Sequence, residues 1–313
     1  MNSQKRRSLL ADYEQFYNED FIAHYTSLES AQRILDGNTI RLSKRSSAVD
    51  CIERVFSEGA TVISSCNPKN EQYLRGEEAQ TFARYNLQRQ KELHQACFCK
   101  TGKSKPFHSQ KLDDLCFLHP RMWEQYGDKY KGICFILSKE TLQKDNPQFF
   151  YRDMEYRSLD ELGRIRISKG VDGDRLRTLG VDEYSKEQDK NIIHMATYKT
   201  KDYENENEFR VMQFSPKEYC YLDISNSIVA VAYFPLYSYE IATGRNKKEI
   251  VHFEKKIKNI LIKFNCYIRS QKRFLDTCSL KGIKILNIDA SSGIIKIESN
   301  EEMQKKYEAL KQI

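Results

Sequence analysis

The stretch FIAHYTSLESAQRILDG, residues 21–37, decides the fold class. Phe21 to Thr26 reads as a short strand. From Ser27 to Asp36 the apolar residues Leu28, Ala31, Ile34 and Leu35 recur on one face of a 3.6-residue period, which predicts an amphipathic helix. Thr26 and Glu29 have the spacing of a capping box, and Gly37 stands where a left-handed residue ends a helix. A strand running straight into a capped helix puts His24 and Tyr25 beside unpaired helical N–H groups, which attract anions. Such a corner suits a phosphate-bearing ligand.

Outward from this corner, residues 70–94 are polar and helix-compatible, and Ala96 to Cys99 and Gly132 to Leu137 read as buried strands. The intervening KTGKSKPFHSQKLDD is a basic loop whose residues 100–111 suggest a lid or a mobile excursion. Phe149 to Arg157 reads as a strand, 158–195 as largely helical, and Glu208 to Phe214 as a strand with alternating faces. Strands are expected at 219–224, 228–233, 283–288 and 294–298, with an amphipathic helix near 249–264. Many short strands with interspersed helices indicate an α+β fold. With no repeat, no low-complexity tract, and only 6 Pro and 13 Gly to punctuate a linker, a single domain over residues 1–313 is expected, with 1–20 a peripheral helical extension.

Composition narrows the class. At 313 residues, 40% hydrophobic and 30% charged, the chain has enough apolar material for a core and is not of the disordered type. No run approaches the roughly 20 apolar residues of a membrane span, and acidic residues interrupt the opening segment where a signal peptide needs its apolar run, so a cytoplasmic protein without membrane association is expected. Nine cysteines, an odd number without compact spacing, argue for reduced thiols. The net charge of +7 attracts anionic partners, although the basic residues are scattered.

Three groups of residues carry chemistry. In RMWEQYGDKYKGICFIL, residues 121–137, the only tryptophan, Trp123, precedes Tyr126 by about one helical turn. Trp123 reads as a core anchor. In Glu206-Asn207-Glu208-Phe209-Arg210, preceded by Lys199, an extended strand would set Glu206, Glu208 and Arg210 on one face and Phe209 on the other. Neighbouring carboxylates raise one another's pKa, and a nearby Arg or Lys opposes this. Such a pair stabilises a developing cation or accepts a proton, although a solvated edge strand carries the same pattern. Cys97, Cys99, Cys116 and His119 are zinc-type ligands in an unusual spacing, equally explained as core, and no metal is expected.

The combination of HYT at a strand-to-helix corner, CFC followed by MWEQYGDKYKG, FYRDMEY and YKTKDYENENEFR resembles an uncharacterised bacterial family of unknown function found among mobile and defence genes, over roughly residues 20 to 290. That family in turn resembles the ADP-ribosyltransferase superfamily. The resemblance implies a split β-sheet core and NAD as co-substrate. It implies that His24, with Tyr25 and Thr26 beside it, holds the adenosine ribose, that Tyr126 packs on the nicotinamide, and that Glu208 grips the nicotinamide ribose, with Glu206 completing the pair and Arg210 beside it. Tyr126 falls on an expected helix where that superfamily uses a strand, and its acidic stretch is met only loosely by Asp50 and Glu53.

Cleavage of the nicotinamide–ribose bond builds oxocarbenium character that a carboxylate stabilises, a role for Glu208. Glu206 would then serve as general base for the acceptor. The leading expectation is an ADP-ribosyltransferase, an antiphage or toxin–antitoxin effector with a macromolecular acceptor. RNA or DNA is favoured slightly over protein because of the net charge, and an antitoxin or chaperone is a candidate partner. An NAD glycohydrolase is the variant in which water replaces the acceptor. A non-catalytic nucleic-acid-binding or sensor module would instead use loop 100–111 and helix 255–273, and a metal-dependent nuclease would need Asp50, Glu53, Glu206 and Glu208 to converge.

Overall fold

A computed structural model of the chain describes residues 20–48, 63–64, 77–102, 115–168, 171–234, 269–289 and 296–299. The elements, in chain order, are β1 (Phe21–Thr26), α1 (Leu28–Gly37), β2 (Thr39–Lys44), β3 (Ile63–Ser64), α2 (Glu77–Glu92) and β4 (Leu93–Lys100). Then come α3 (Pro120–Gln125), β5 (Ile133–Ser138), α4 (Lys139–Asp145), β6 (Phe150–Asp153), β7 (Glu155–Arg157), α5 (Leu159–Ser168), β8 (Val171–Asp172) and α6 (Gly173–Met195). Last are β9 (Tyr198–Thr200), β10 (Glu208–Phe214), β11 (Cys220–Asp223), β12 (Ile228–Tyr233), a helix α7 covering 269–280, β13 (Lys284–Asp289) and β14 (Lys296–Ser299). This is the α+β mixture the sequence predicts. The loop at 103–114, the helix near 249–264, the N-terminal extension, Asp50 and Glu53 lie outside the described residues. Among the described residues, no helix is long and apolar enough to cross a membrane.

The chain divides into two compact units, one of residues 1–39, 99–142 and 224–313, the other of 40–98 and 143–223. Each is assembled from discontinuous segments. The chain changes unit within β2, β4 and α4 and directly after β11.

In the first unit, β1 pairs antiparallel with β5, β5 antiparallel with β12, and β12 parallel with β13, which carries β14. Strand alternation sorts the side chains onto two faces. One face carries Ala23, Tyr25, Cys134, Ile136, Ala230, Ala232, Leu286 and Ile288, and Trp123, Met122 and Phe117 pack on it to form the core. The rows on the other face pass through His24, Phe135, Val231 and Ile285, with the Phe274 ring of α7 packed 6.2 Å from that of Phe135.

Helix α1 forms as its apolar pattern requires, burying Leu28, Ala31, Ile34 and Leu35, but both ends sit one residue later than the capping pattern suggests. Ser27, not Thr26, is the N-cap and accepts from the Ser30 N–H at 3.3 Å. Gly37 remains helical, and the left-handed residue is Asn38, at φ 50°. Asparagine tolerates that conformation, so glycine is not needed there.

In the second unit, β11, β2 and β4 are neighbours, β10 also pairs with β4, and β6 pairs with β10. Helices α2 and α6 are joined by Arg89, whose guanidinium donates to both carboxylate oxygens of Asp189 at 2.9 and 2.5 Å. The strand expected at Phe149 to Arg157 is split by Met154, whose N–H donates to the Glu208 carbonyl. Gly163, inside α5, has open space where a Cβ would stand. Gly163→Ala is therefore expected to stabilise the fold by about 0.5–1 kcal/mol, read as a small rise in melting temperature.

Candidate functional site

The acidic pair of the second unit is built by a turn followed by a strand. Lys201–Glu206 forms a 3-10 turn, Asn207 takes a left-handed conformation at φ 43°, and β10 begins at Glu208. Glu206 is therefore not on the strand, contrary to the expectation that Glu206, Glu208 and Arg210 alternate along one extended segment. The left-handed residue turns the chain so that both carboxylates still meet. Lys199, from β9, donates its ammonium to Glu206 Oε2 at 2.7 Å and Glu208 Oε2 at 3.1 Å. Arg210 Nε donates to Glu208 Oε1 at 2.6 Å, and its Nη1 donates to the Ala196 carbonyl at 3.0 Å and to Gln95 Oε1 at 3.3 Å.

The cluster is almost closed to water, with Glu206 2%, Glu208 3% and Arg210 0% exposed. Burial works against ionisation of Glu208, but the Arg210 and Lys199 cations outweigh it and bring its pKa down to about 2. Burial likewise disfavours the Lys199 ammonium, and Glu208 and Glu206 more than compensate, so its pKa lies above the usual lysine value. Tyr203 presents its ring face 4.4 Å from Lys199 Nζ, and the Tyr156 hydroxyl accepts from the Glu208 N–H at 2.7 Å. Two carboxylates and an aromatic face thus cradle a cation. The Cys97 side chain, on an exposed residue of β4, hydrogen-bonds Glu208.

These charges link stability to pH. Glu208 ionises near 2 in the folded chain against an ordinary 4.5, so its contribution is complete above about 4.5 and is lost as the pH falls from there toward 2. On the order of 3 kcal/mol is at stake. Thermal unfolding followed between pH 6 and 3 is expected to show a falling melting temperature that Glu208→Gln flattens.

The strand-to-helix corner belongs to the first unit. His24 and Thr26 alternate with Tyr25, so they point to the sheet face opposite the one carrying Trp123. The Tyr25 ring is buried at 5% exposure and meets the Trp123 ring edge-on at 5.1 Å. Its hydroxyl donates to the Cys116 carbonyl at 2.7 Å and accepts from the His119 N–H at 3.2 Å. Burial, followed by the Cys134, Cys99 and Cys116 thiols, raises its pKa well above the ordinary tyrosine value. Tyr25 is thus an internal anchor, and the corner does not bring it together with His24.

Helix α3 begins with Pro120 after the N-cap His119, and Trp123 is held in the core by its Nε1 donation to the Phe117 carbonyl at 2.9 Å. Tyr126 caps the C-terminal end of α3 and is 44% exposed. The chain then runs through three consecutive left-handed residues, Asp128, Lys129 and Tyr130, between Gly127 and Gly132. A Cβ on Gly127 would lie 2.6 Å from Trp123 Cε3, and one on Gly132 would lie 2.1 Å from the Thr26 carbonyl oxygen. The spacing of Trp123, Gly127 and Gly132 is therefore dictated by backbone crowding.

Of the proposed residues, Glu206, Glu208 and Arg210 are brought together in the second unit, while His24, Tyr25, Thr26 and Tyr126 belong to the first. Sequence reasoning left Tyr156, Tyr203, Gln95 and Cys97 out of the site. Tyr156 and Tyr203 stand in two of the motifs singled out, FYRDMEY and YKTKDYENENEFR, and that is the signal that points to them. Cys99 and Cys116 are buried in the first unit's core, where burial lifts the Cys116 thiol to about 12. No group of three or more His, Cys, Asp or Glu among the described residues is arranged to hold a metal ion.

No curated protein and no solved structure matches the chain. Residues 122–211, which run from Met122 to Val211 and take in both the Trp123 turn and the Lys199–Glu206–Glu208–Arg210 cluster, match the model of a family described as a protein of unknown function, DUF2971.

Proposed function

We propose that the protein is an NAD-dependent ADP-ribosyltransferase acting on a macromolecular acceptor, RNA or DNA before protein. The observation that carries this reading is the cation cradle of Lys199, Glu206, Glu208 and Tyr203. Its central carboxylate stays ionised throughout the physiological range. A glycosidic bond breaking toward an oxocarbenium ion calls for such a group, a fixed negative charge in a dry setting. The Lys199 ammonium holds the position between the two carboxylates that the developing cation would take, so turnover requires Lys199 to swing aside. Glu208 then stabilises the ribosyl cation and Glu206 accepts the acceptor's proton. NAD would supply the ADP-ribosyl group. In the first unit, the exposed Tyr126 ring is of the kind that stacks on a flat base. The sequence resemblance supports a cytoplasmic antiphage or toxin–antitoxin effector held in check by an antitoxin or chaperone.

Incubating the purified protein with labelled NAD, alone and with RNA, DNA or lysate, tests this. Label carried onto a macromolecule by the wild type and not by Glu208→Gln is the expected result. Nicotinamide released without transfer would reassign the activity to hydrolysis, and NAD left intact under every condition would end the proposal.

A second reading has its own observation. Glu208 is 3% exposed with both oxygens already engaged by Arg210 and Lys199, as in a structural ion-pair network. The protein would then be a binding module, and Glu208→Gln would lower stability in a chain that never consumes NAD.

A further inference from the structure

Strand β11 ends the strand order of the second unit's sheet among the described residues, with β2 beside it. Its alternation buries Cys220 and Leu222 and exposes Tyr221, and Tyr219 just before it is exposed as well. The two residues are 55% and 46% exposed, unusual for large aromatic side chains. Strand β2 alternates likewise, burying Ile40 and Leu42 and exposing Arg41 and Ser43, and the Arg41 guanidinium sits 5.3 Å from the centroid of the Tyr219 ring. Two solvent-facing rings and a stacked cation therefore share this edge of the sheet.

We propose that this face of β11 and β2 binds single-stranded nucleic acid, with Tyr219 and Tyr221 stacking on unpaired bases and Arg41 meeting the backbone phosphates. Rings on an open sheet suit splayed bases, whose faces are accessible in a single strand and closed in a duplex. The nearby charges are mixed. Lys217 adds to Arg41, while Glu218, engaged with the Tyr219 hydroxyl, and Asp223 oppose them. Stacking thus supplies most of the affinity and charge a smaller share.

The register points this surface toward the acidic pair. Ser43 of β2 lies opposite Gln95 of β4, which accepts from Arg210, and Cys97, two residues on, bonds Glu208. All share one sheet face. Neighbouring strands lie about 4.8 Å apart, so from β11 across β2 and β4 to β10, which carries Glu208, is roughly 14 Å. A strand stacked on Tyr221 reaches the neighbourhood of Glu208. The inference deepens the proposed function by naming the acceptor class, yet it is tested without NAD, so a failure here and a failure of NAD chemistry are told apart.

Fluorescence anisotropy of a labelled oligouridylate, and of its deoxy counterpart, titrated with the full chain is the measurement. Binding by the wild type is expected, with Tyr219→Ala and Tyr221→Ala each weakening it about tenfold or more and the phenylalanine variants, which keep the ring, binding as the wild type does. Arg41→Gln should lower the dependence on salt by about one phosphate contact. An unlabelled duplex should compete poorly. Oligonucleotide binding that is absent in the wild type, alanine variants that bind unchanged, a duplex that competes equally well, or capture of a protein in place of either oligonucleotide would each overturn the proposal.

Discussion

Glu208→Gln is expected to lower the melting temperature sharply and to abolish the NAD turnover proposed above. The substitution keeps the side chain's shape and removes its charge where Arg210 Nε, at 2.6 Å, and Lys199 Nζ, at 3.1 Å, both depend on it. Removing one member of a buried ion pair leaves an uncompensated charge in the interior, which costs about 3–5 kcal/mol. The loss of one electrostatic contact to a developing cation costs a further factor of about 10²–10³ in rate. Thermal unfolding reads the first effect, and NAD consumption measured well below the variant's melting temperature reads the second. Adding Lys199→Met removes a cation along with the anion, so the double variant is expected to regain stability but not turnover. Turnover restored in the double variant would take Glu208 out of the chemistry, and a single variant as stable as the wild type would show that the cluster tolerates an unbalanced charge.

Gly132→Ala is expected to be the most damaging substitution in the first unit. The added Cβ would stand 2.1 Å from the Thr26 carbonyl oxygen and 2.9 Å from the carbonyl carbon and oxygen of Gly127. All three are backbone atoms, which have no alternative rotamer. Overpacking that side chains can relieve costs about 1–3 kcal/mol, and a clash with backbone belongs at or beyond the upper end of that range. Relief would have to come from β1, which pairs with β5 from Phe21 to Thr26, or from the left-handed turn 128–130. Soluble yield and melting temperature, measured beside Gly163→Ala, check this. A Gly132→Ala protein that melts like the wild type would mean that the close approach to Thr26 is not required.

The elements that depend on periodicity were legible in the sequence, because apolar spacing and burial have a common cause. Helix α1 and strands β5, β10 and β12 stand within about a residue of their expected places. The departures occur where a single residue's backbone preference overrides the pattern. At Asn38 and Asn207 an asparagine takes φ 50° and 43°, moving the end of α1 and ending the alternation before Glu208. Asparagine is enriched in that conformation, so both shifts had a local signal that the period obscures. The acidic pair was recognisable by residue type, but the grip of Lys199 across β9 and the turn depends on pairing of β9 with β7, which no local pattern encodes. The adjoining strand and helix point to Tyr25 as a ligand group. Its alternation partner His24 points the other way, and the cue was that Tyr25 shares the buried parity of Ala23.

The order in which the strands of the first unit pair also bears on how the chain acquires its structure. Strand β5 is flanked by β1 and β12, and β13 joins β12 only after the chain has passed residue 283. Each of these pairings closes a long loop before any contact repays it, and folding rates fall as such separations grow. A ribosome-bound chain that has released β1 and β5 therefore presents an unsatisfied strand edge until β12 emerges. That interval makes early engagement by a holdase favourable and slow acquisition of the native sheet the expected kinetic behaviour.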